Sequence, residues 1–262
     1  MDAPGEKIVS IKDLKMSFGE KQVLKGIDLE IQGGQIIGYI GPNGAGKSTT
    51  VKILLGILEG YQGEVKVFGE DISAGSIEYK KRIGYVPETA ELYDTLTAQE
   101  YLTFIGEIYG IDYQTVDRKA QKLMKLLGIG EAYTNRISSF SKGMKQKVLI
   151  VASLLHNPDI LFFDEPLSGL DANSVMVFKE IISELAVQGK TIFYSSHIME
   201  VVEKISDRII LIHSGQIVAD GTFLQLQEKC SEGSLEDIFN QLTGFNQHKQ
   251  IADEFISVLK EG

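Results

Sequence analysis

Cysteine is almost absent from this chain: Cys230 alone in 262 residues. A disulfide framework is excluded, and the usage fits a reducing compartment. Basic charge is in deficit. Twenty-six Lys and Arg stand against thirty-six Asp and Glu, a net charge of −10. The chain therefore lacks the global basic footprint of a nucleic-acid binder, although the total leaves room for a local patch. Long apolar runs are missing too. The strongest, Ile36–Ile40, Ile160–Phe163 and Ile209–Ile212, fall far short of the ~20 residues a membrane-spanning helix needs. The first ten residues hold no apolar stretch of signal-peptide length. Work at a membrane is expected to pass through a partner. Internal repeats and low-complexity tracts are also lacking. What remains is ordinary globular usage, 43% hydrophobic and 24% charged, which argues against disorder. The length suits one large domain or two small ones, with a sizeable buried core.

The pattern along the chain predicts an α/β fold. Ile8–Met16 and Val23–Ile31 read as strands around a turn at Phe18-Gly19-Glu20-Lys21. Gln35–Ile40 reads as a buried strand, Ser48–Gly56 as a helix, and Val65–Phe68 and Ile83–Val86 as further short strands. From about Thr97 to His156 strand signal nearly vanishes. Tyr101, Leu102, Ile105 and Ile108 share one helical face, and Leu123, Leu126 and Leu127 another, which predicts a helical subdomain. Strands return at Ile160–Phe163, Thr191–Tyr194 and Arg208–Ile212, alternating with helices at Ala172–Val187 and Ile198–Ile205. That alternation predicts a mostly parallel sheet covered by helices. Ser214-Gly215 reads as a hairpin turn into Gln216–Ala219. At the end, Ile251, Phe255 and Val258 fall on one face of an amphipathic helix over Asn246–Lys260.

Several clusters carry chemistry. Gly41-Pro42-Asn43-Gly44-Ala45-Gly46-Lys47-Ser48, with Thr49 behind it, fits G-x-x-x-x-G-K-[ST]. It follows an apolar strand and opens a helix, where backbone N–H groups can turn inward around phosphate oxygens. Lys47 is placed to reach β- and γ-phosphates and Ser48 to ligate Mg²⁺. A Gly-rich turn that binds nothing is the alternative, and the full match in context speaks against it. Ile160–Phe163 ends in Asp164-Glu165. Strand ends are where open α/β sheets meet ligands, so Asp164 is a candidate for Mg²⁺ and Glu165 for polarising a water. Alone, this pair would read as solvated acids. His197, after Thr191–Ser196, can hydrogen-bond a γ-phosphate oxygen and hold the attacking water, but a lone histidine is more often structural. Phe18 either stacks on adenine or is an ordinary turn aromatic. Ser141-Lys142-Gly143-Met144-Lys145-Gln146-Lys147 precedes the apolar run Val148–Leu155. A Ser and a Gly at a helix N-terminus make an anion site or a plain cap.

In this order and spacing the clusters resemble ABC-type ATPases, from about Ile8 to Gly244. Gly41–Ser48 looks like the Walker A loop, Asp164 and Glu165 like the Walker B acid and catalytic glutamate, and Ser141–Lys147 like the signature motif. Ser168-Gly169-Leu170-Asp171 looks like the D-loop, His197 like the switch histidine, and Phe18 like the adenine-stacking aromatic. Gly84-Tyr85-Val86-Pro87-Glu88, Glu91-Leu92-Tyr93, Leu96-Thr97 and Ser234-Leu235-Glu236-Asp237-Ile238-Phe239 are similar to ATP-binding subunits of bacterial ABC exporters. The chain departs from the pattern at Glu88, where the family has glutamine. It departs again at Lys142, where the signature has glycine, and at Met144, where it has glutamine. An ionised carboxylate only accepts hydrogen bonds and adds negative charge near Mg²⁺, so Glu88 would act differently from an amide.

The resemblance implies a P-loop ATPase core with an N-terminal antiparallel β subdomain and an inserted helical subdomain at about 97–156. The ATP-binding domain would occupy residues 1–244 and a helical extension residues 245–262. That extension would pack on its own domain, extend a dimer contact or stand free. ATP and Mg²⁺ are the implied cofactors. Catalysis would fall to Glu165, His197 and Lys47. Nucleotide contacts would come from Phe18, Gly41 through Thr49, Glu88, Ser141, Gly143 and Asp171, and metal contacts from Ser48, Asp164 and Glu88. The expected partners are a transmembrane permease and a second ATP-binding subunit, identical or not, at the cytoplasmic face of the membrane, with no nucleic acid. Two other readings compete: a soluble ABC-type ATPase acting on nucleic acid or ribosomes, and a nucleotide-sensing module without turnover.

Overall fold

Strands that alternate between two buried faces decide the architecture. The computed structural model describes residues 6–89, 91–230, 233–244 and 248–259, without the side chains of 248–250. The chain opens with β1 (Lys7–Phe18), β2 (Lys21–Gln32), β3 (Ile36–Ile40), α1 (Lys47–Leu54), β4 (Gln62–Val67), β5 (Glu70–Asp71) and β6 (Ile83–Val86). The helices α2 (Ala98–Ile108), α3 (Tyr113–Leu126) and α4 (Lys142–Leu154) follow. Then come β7 (Ile160–Asp164), α5 (Ala172–Val187), β8 (Thr191–Ser196), α6 (Met199–Ile205), β9 (Arg208–His213) and β10 (Gln216–Gly221). The chain closes with α7 (Phe223–Cys230), α8 (Leu235–Thr243) and α9 (His248–Leu259).

Two sheets result. The first is antiparallel, in the order β2-β1-β4-β5, and its first hairpin closes with Phe18 opposite Lys21. The second runs β10-β9-β3-β8-β7-β6, parallel except for β10 at its edge. Its central strands are apolar on both faces. Ile37, Tyr39, Phe162, Phe193 and Ile210 turn toward the antiparallel sheet and α1. Ile36, Ile40, Phe163, Tyr194 and Leu211 turn the other way, toward α5, α6 and α8. Antiparallel sheet, parallel sheet and helices thus form three layers over two cores, matching the expected α/β class. Each apolar side chain so buried contributes about 1.5–3 kcal/mol.

The helical lobe has a third core, built from Leu102, Val116, Ala120, Met124, Ile137 and Val151. Its helices begin at side-chain caps. Thr97 Oγ1 accepts from the Glu100 N–H at 3.1 Å, while Glu100 returns a carboxylate to the Thr97 N–H at 2.7 Å, a reciprocal capping box. Helix α4 belongs to two cores. Val148, Val151 and Leu155, just beyond its last turn, enter the lobe's core, and Leu149 and Ile150 pack beneath the parallel sheet.

Some expectations need correction. Ile108 and Leu126 are exposed at 62% and 77% rather than facing the lobe's core. On α3 the buried stripe is Val116, Ala120 and Met124. Leu126, two residues past Met124, lies roughly 200° further round. Ile108 ends α2 beyond the reach of its neighbours. Two helices that the apolar pattern did not announce, α7 and α8, cover the far side of the sheet through Leu226, Cys230, Leu235 and Ile238. Helix α9 forms as expected, although residues 246, 247 and 260 lie outside the described residues. Ile251, Phe255 and Val258 are all exposed.

Close packing leaves Gly38 in β3 no slack. A Cβ on Gly38, in the middle of β3, would stand 2.1 Å from Val202 Cγ1 and 2.7 Å from Ser206 Oγ. Gly38→Ala should push α6 off the sheet and lower stability by about 1–3 kcal/mol. Urea unfolding measures this, and an unchanged midpoint would show that α6 yields freely.

Candidate functional site

Three neighbouring parallel strands end at one edge of the sheet. Ile40 of β3 pairs with Ser196 of β8, and Asp164 of β7 pairs with Ser195. The segments leaving those strands, at Gly41, Glu165 and His197, therefore emerge side by side. Beyond β3 the chain turns through Gly41–Gly46 into α1. Gly46 caps this helix at φ 110°, where a side chain would be strained and a Cβ would meet Leu24 at 2.5 Å. The loop's N–H groups and the helix N-terminus together form an anion-binding arrangement.

These segments enclose a cleft of about 380 Å³. Asn43, Gly44, Gly46, Lys47, Ser48 and Thr49 form one wall, Asp164, Glu165 and Glu88 another, and Lys21 and Val23 of β2 the rim. Lys47 is buried, and its Nζ donates to the carbonyls of Gly41 at 2.6 Å and Pro42 at 3.2 Å. Burial pushes its ammonium pKa down, against the opposing pull of the Glu165, Asp164 and Glu88 carboxylates. Ala45 is buried, and its N–H donates to the Pro42 carbonyl at 3.1 Å. Pro42 lines a separate groove beside His197.

The two acids differ sharply. Asp164 is 3% exposed, and its buried Oδ1 has no hydrogen-bond partner. A buried carboxylate oxygen left so is costly unless something else satisfies it. Glu165 is well satisfied. His197 Nδ1 lies 2.7 Å from its Oε1, and Ser196 Oγ donates to Oε2 at 3.0 Å. An ionised carboxylate only accepts, so Nδ1 carries the proton. Glu165 also sits at φ +50°, a strained conformation for a non-glycine residue. Glu88, Ser48 and Asp164 face a second cleft of about 400 Å³ as well. Among the described residues no group of three His, Cys, Asp or Glu side chains could hold a metal ion.

The structure thus gathers Lys47, Ser48, Thr49, Glu88, Asp164 and Glu165 around one cleft, with His197 attached through Glu165. Other candidates lie elsewhere in the single chain. Phe18 is 48% exposed at the hairpin end, where its cross-strand partner Lys21 lines the cleft. Ser141 caps α4, accepting from the Met144 N–H at 3.3 Å. Asp171 caps α5. The Ser174 hydroxyl and N–H hold the Asp171 carboxyl down at about 2, with Lys147 adding to them. Sequence reasoning missed Ser196, whose hydroxyl orients Glu165, as well as Lys21 and Val23. The Ser195-Ser196 pair before His197 was the available signal for the first, while long-range packing of the hairpin brings the other two.

Fold and site define a P-loop nucleotide-binding protein. A profile described as "ABC transporter" matches residues 24–168. The ABC transporter ATP-binding protein NatA of Bacillus subtilis is 38% identical over 238 residues, 88% of this chain and 96% of that protein. The linearmycin resistance ATP-binding protein LnrL of the same organism is 37% identical over 215 residues, 82% of this chain and 69% of that protein. A solved ATP-binding subunit of an ABC transporter superposes with a TM-score of 0.84 at 31% identity, covering 90% of this chain and 99% of that one. The chain belongs to the ABC transporter family. It is an ATP-binding subunit and an ATPase.

Charge-assisted hydrogen bonds contribute about 1.5–3 kcal/mol each, so Lys47→Met should weaken ATP binding roughly 10- to 150-fold. Titration calorimetry tests this, and an unchanged affinity would remove Lys47 from phosphate contact.

Proposed function

We propose that this chain hydrolyses ATP in the cleft between Lys47 and Glu165 and uses the reaction to drive a separate membrane-spanning exporter. The observation that carries the reading is the gathering of a phosphate loop, an orphaned buried carboxylate and an oriented second carboxylate at the ends of three adjacent strands. In this reading the loop N–H groups and Lys47 bind the β- and γ-phosphates, and their charge meets the negative charge that develops in transfer. Glu165, aimed by His197 and Ser196, polarises a water and accepts its proton as the water oxygen attacks the γ-phosphorus. The bond from that phosphorus to the β–γ bridging oxygen breaks, leaving ADP and phosphate. Ser48 and Asp164, the latter through its partnerless Oδ1, fit Mg²⁺, which would neutralise phosphate charge when bound. Glu88 adds a third negative group to the same wall. Phe18 serves the adenine.

Ser141, Gly143 and Asp171 do not line this cleft, which is what a shared site requires. A second ATP-binding subunit, identical or related, presents its own helix N-terminus to the γ-phosphate, so that the nucleotide bridges two chains. Residues 1–244 act as the ATP-binding domain and α9 as an appendage. The membrane partner fits the apolar groove of about 260 Å³ between the lobes, lined by Ile57, Tyr85, Tyr101, Ile105 and Tyr109. Glu88, three residues past Tyr85, joins that groove to the nucleotide cleft. Among the described residues no helix is long and apolar enough to cross a membrane; in this reading the chain is held at the cytoplasmic face through its membrane partner. A charge of −10 favours a protein partner over nucleic acid. The name of the linearmycin resistance relative supports export.

Glu165→Gln should leave ATP binding intact, accumulate a Mg-ATP-dependent dimer and lower turnover at least ~100-fold, the loss expected for a positioned base. Phosphate release and light scattering read the two effects. Near-normal turnover, or a monomer at saturating Mg-ATP, would contradict the reading.

A further inference from the structure

The first turns of α4 are fastened to the loop that follows Glu165. Lys142 Nζ donates to Ser168 Oγ at 2.6 Å. The lysine stem lies against Gly169, with Cγ 3.0 Å from where a Cβ on that glycine would stand. This approach depends on Gly143, whose own Cβ would come within 2.5 Å of the Gly169 carbonyl. One turn later Gln146 Nε2 donates to the Pro166 carbonyl at 3.1 Å, and Lys147 Nζ lies 3.7 Å from Asp171 Oδ2. A single helix end therefore grips both ends and the tip of the loop over residues 166–171. Immediately before that loop stands Glu165. The Ser168 N–H donates to the Glu165 carbonyl at 3.1 Å, closing a turn on a residue held at φ +50°. Such a conformation persists only where its surroundings over-determine it.

We propose that Lys142 is a positioning residue for Glu165, acting through Ser168. The proposal rests on the role given to Glu165 above. Lysine offers donors and no acceptor, so it fixes the Ser168 hydroxyl as an acceptor. Without it the hydroxyl is free to bond nearby backbone, a competition that serine readily enters. The turn then gains alternative geometries, and the carboxylate it carries loses aim. Attack on phosphorus is sensitive to displacements of about 1 Å. A lysine touching the nucleotide directly would instead act on binding.

The test is steady-state ATP hydrolysis by the full-length chain carrying Lys142→Met, Lys142→Arg, Ser168→Ala or the Lys142→Met/Ser168→Ala pair. Methionine keeps the stem over Gly169 and removes the donor. Lys142→Met and Ser168→Ala should each lower kcat ~10-fold with KM within about twofold, the signature of an interaction felt in the transition state. The pair should be no worse than the poorer single, as expected for residues sharing one interaction. Lys142→Arg should restore at least half of the lost kcat. Melting temperatures should stay within about 2 °C, because the contact is exposed. An unchanged kcat in both singles, additive losses in the pair, or a raised KM at constant kcat would each overturn the proposal. Glu165→Gln, run alongside, separates the two readings. If it turns over normally, the assignment of Glu165 fails. If it is inactive while Lys142→Met is normal, only the role of Lys142 fails.

Discussion

The register of three parallel strands governs the site. With Ile40 beside Ser196 and Asp164 beside Ser195, the chain leaves the sheet at three adjacent points on one level. A phosphate loop, a carboxylate pair and a Ser-His pair follow those points in sequence, so backbone pairing alone brings them together. A shift of one residue in β7 would turn Asp164 to the opposite face. The apolar side chains that prevent such a slip are the same ones that build the two cores, because each strand alternates between them. Stability and chemistry therefore share a single determinant in the middle of the molecule.

The layered arrangement also explains why Ser141, Gly143 and Asp171 lie apart from the cleft. The helical lobe has its own core and presents the N-terminus of α4, capped by Ser141, away from Lys47. In the proposed shared site, such a chain would hold two unlike halves, a donor-rich loop with its carboxylates and a lone helix end. Electrostatics favours joining them around a phosphate chain, since each half offers hydrogen-bond donors and the ligand supplies only acceptors. The strong negative charge near Lys47, from Glu88, Asp164 and Glu165, makes a counter-cation a natural companion of the ligand.

Much of this was legible in the sequence because the decisive features are local. Eight contiguous residues specify the phosphate loop, and an apolar run ending in Asp164-Glu165 specifies both a strand and its chemical end. The parallel sheet followed from strands too apolar for one face to be wet. Other features depend on tertiary contacts that no local pattern encodes. The bond from Ser196 to Glu165 depends on the register of β7 against β8. Lys21 and Val23 reach the cleft only because the first hairpin packs over α1. Helices α7 and α8 each bury only two side chains, too few for a clear period. Leu126 misled for the opposite reason, as an apolar residue in the wrong angular sector of its helix, and Ile108, on the same face as Tyr101, misled because α2 ends there.

Helix α4 has roots in two cores, with Val148 and Val151 in one and Leu149 and Ile150 in the other. Adjacent residues along a single turn thus answer to different neighbourhoods. The helical lobe cannot be exchanged as a cassette cut at its edges. A chimera that imported a foreign lobe would need an α4 whose alternate sides suit both donor and recipient, and a seam placed on either flank of this helix would split one interior or the other.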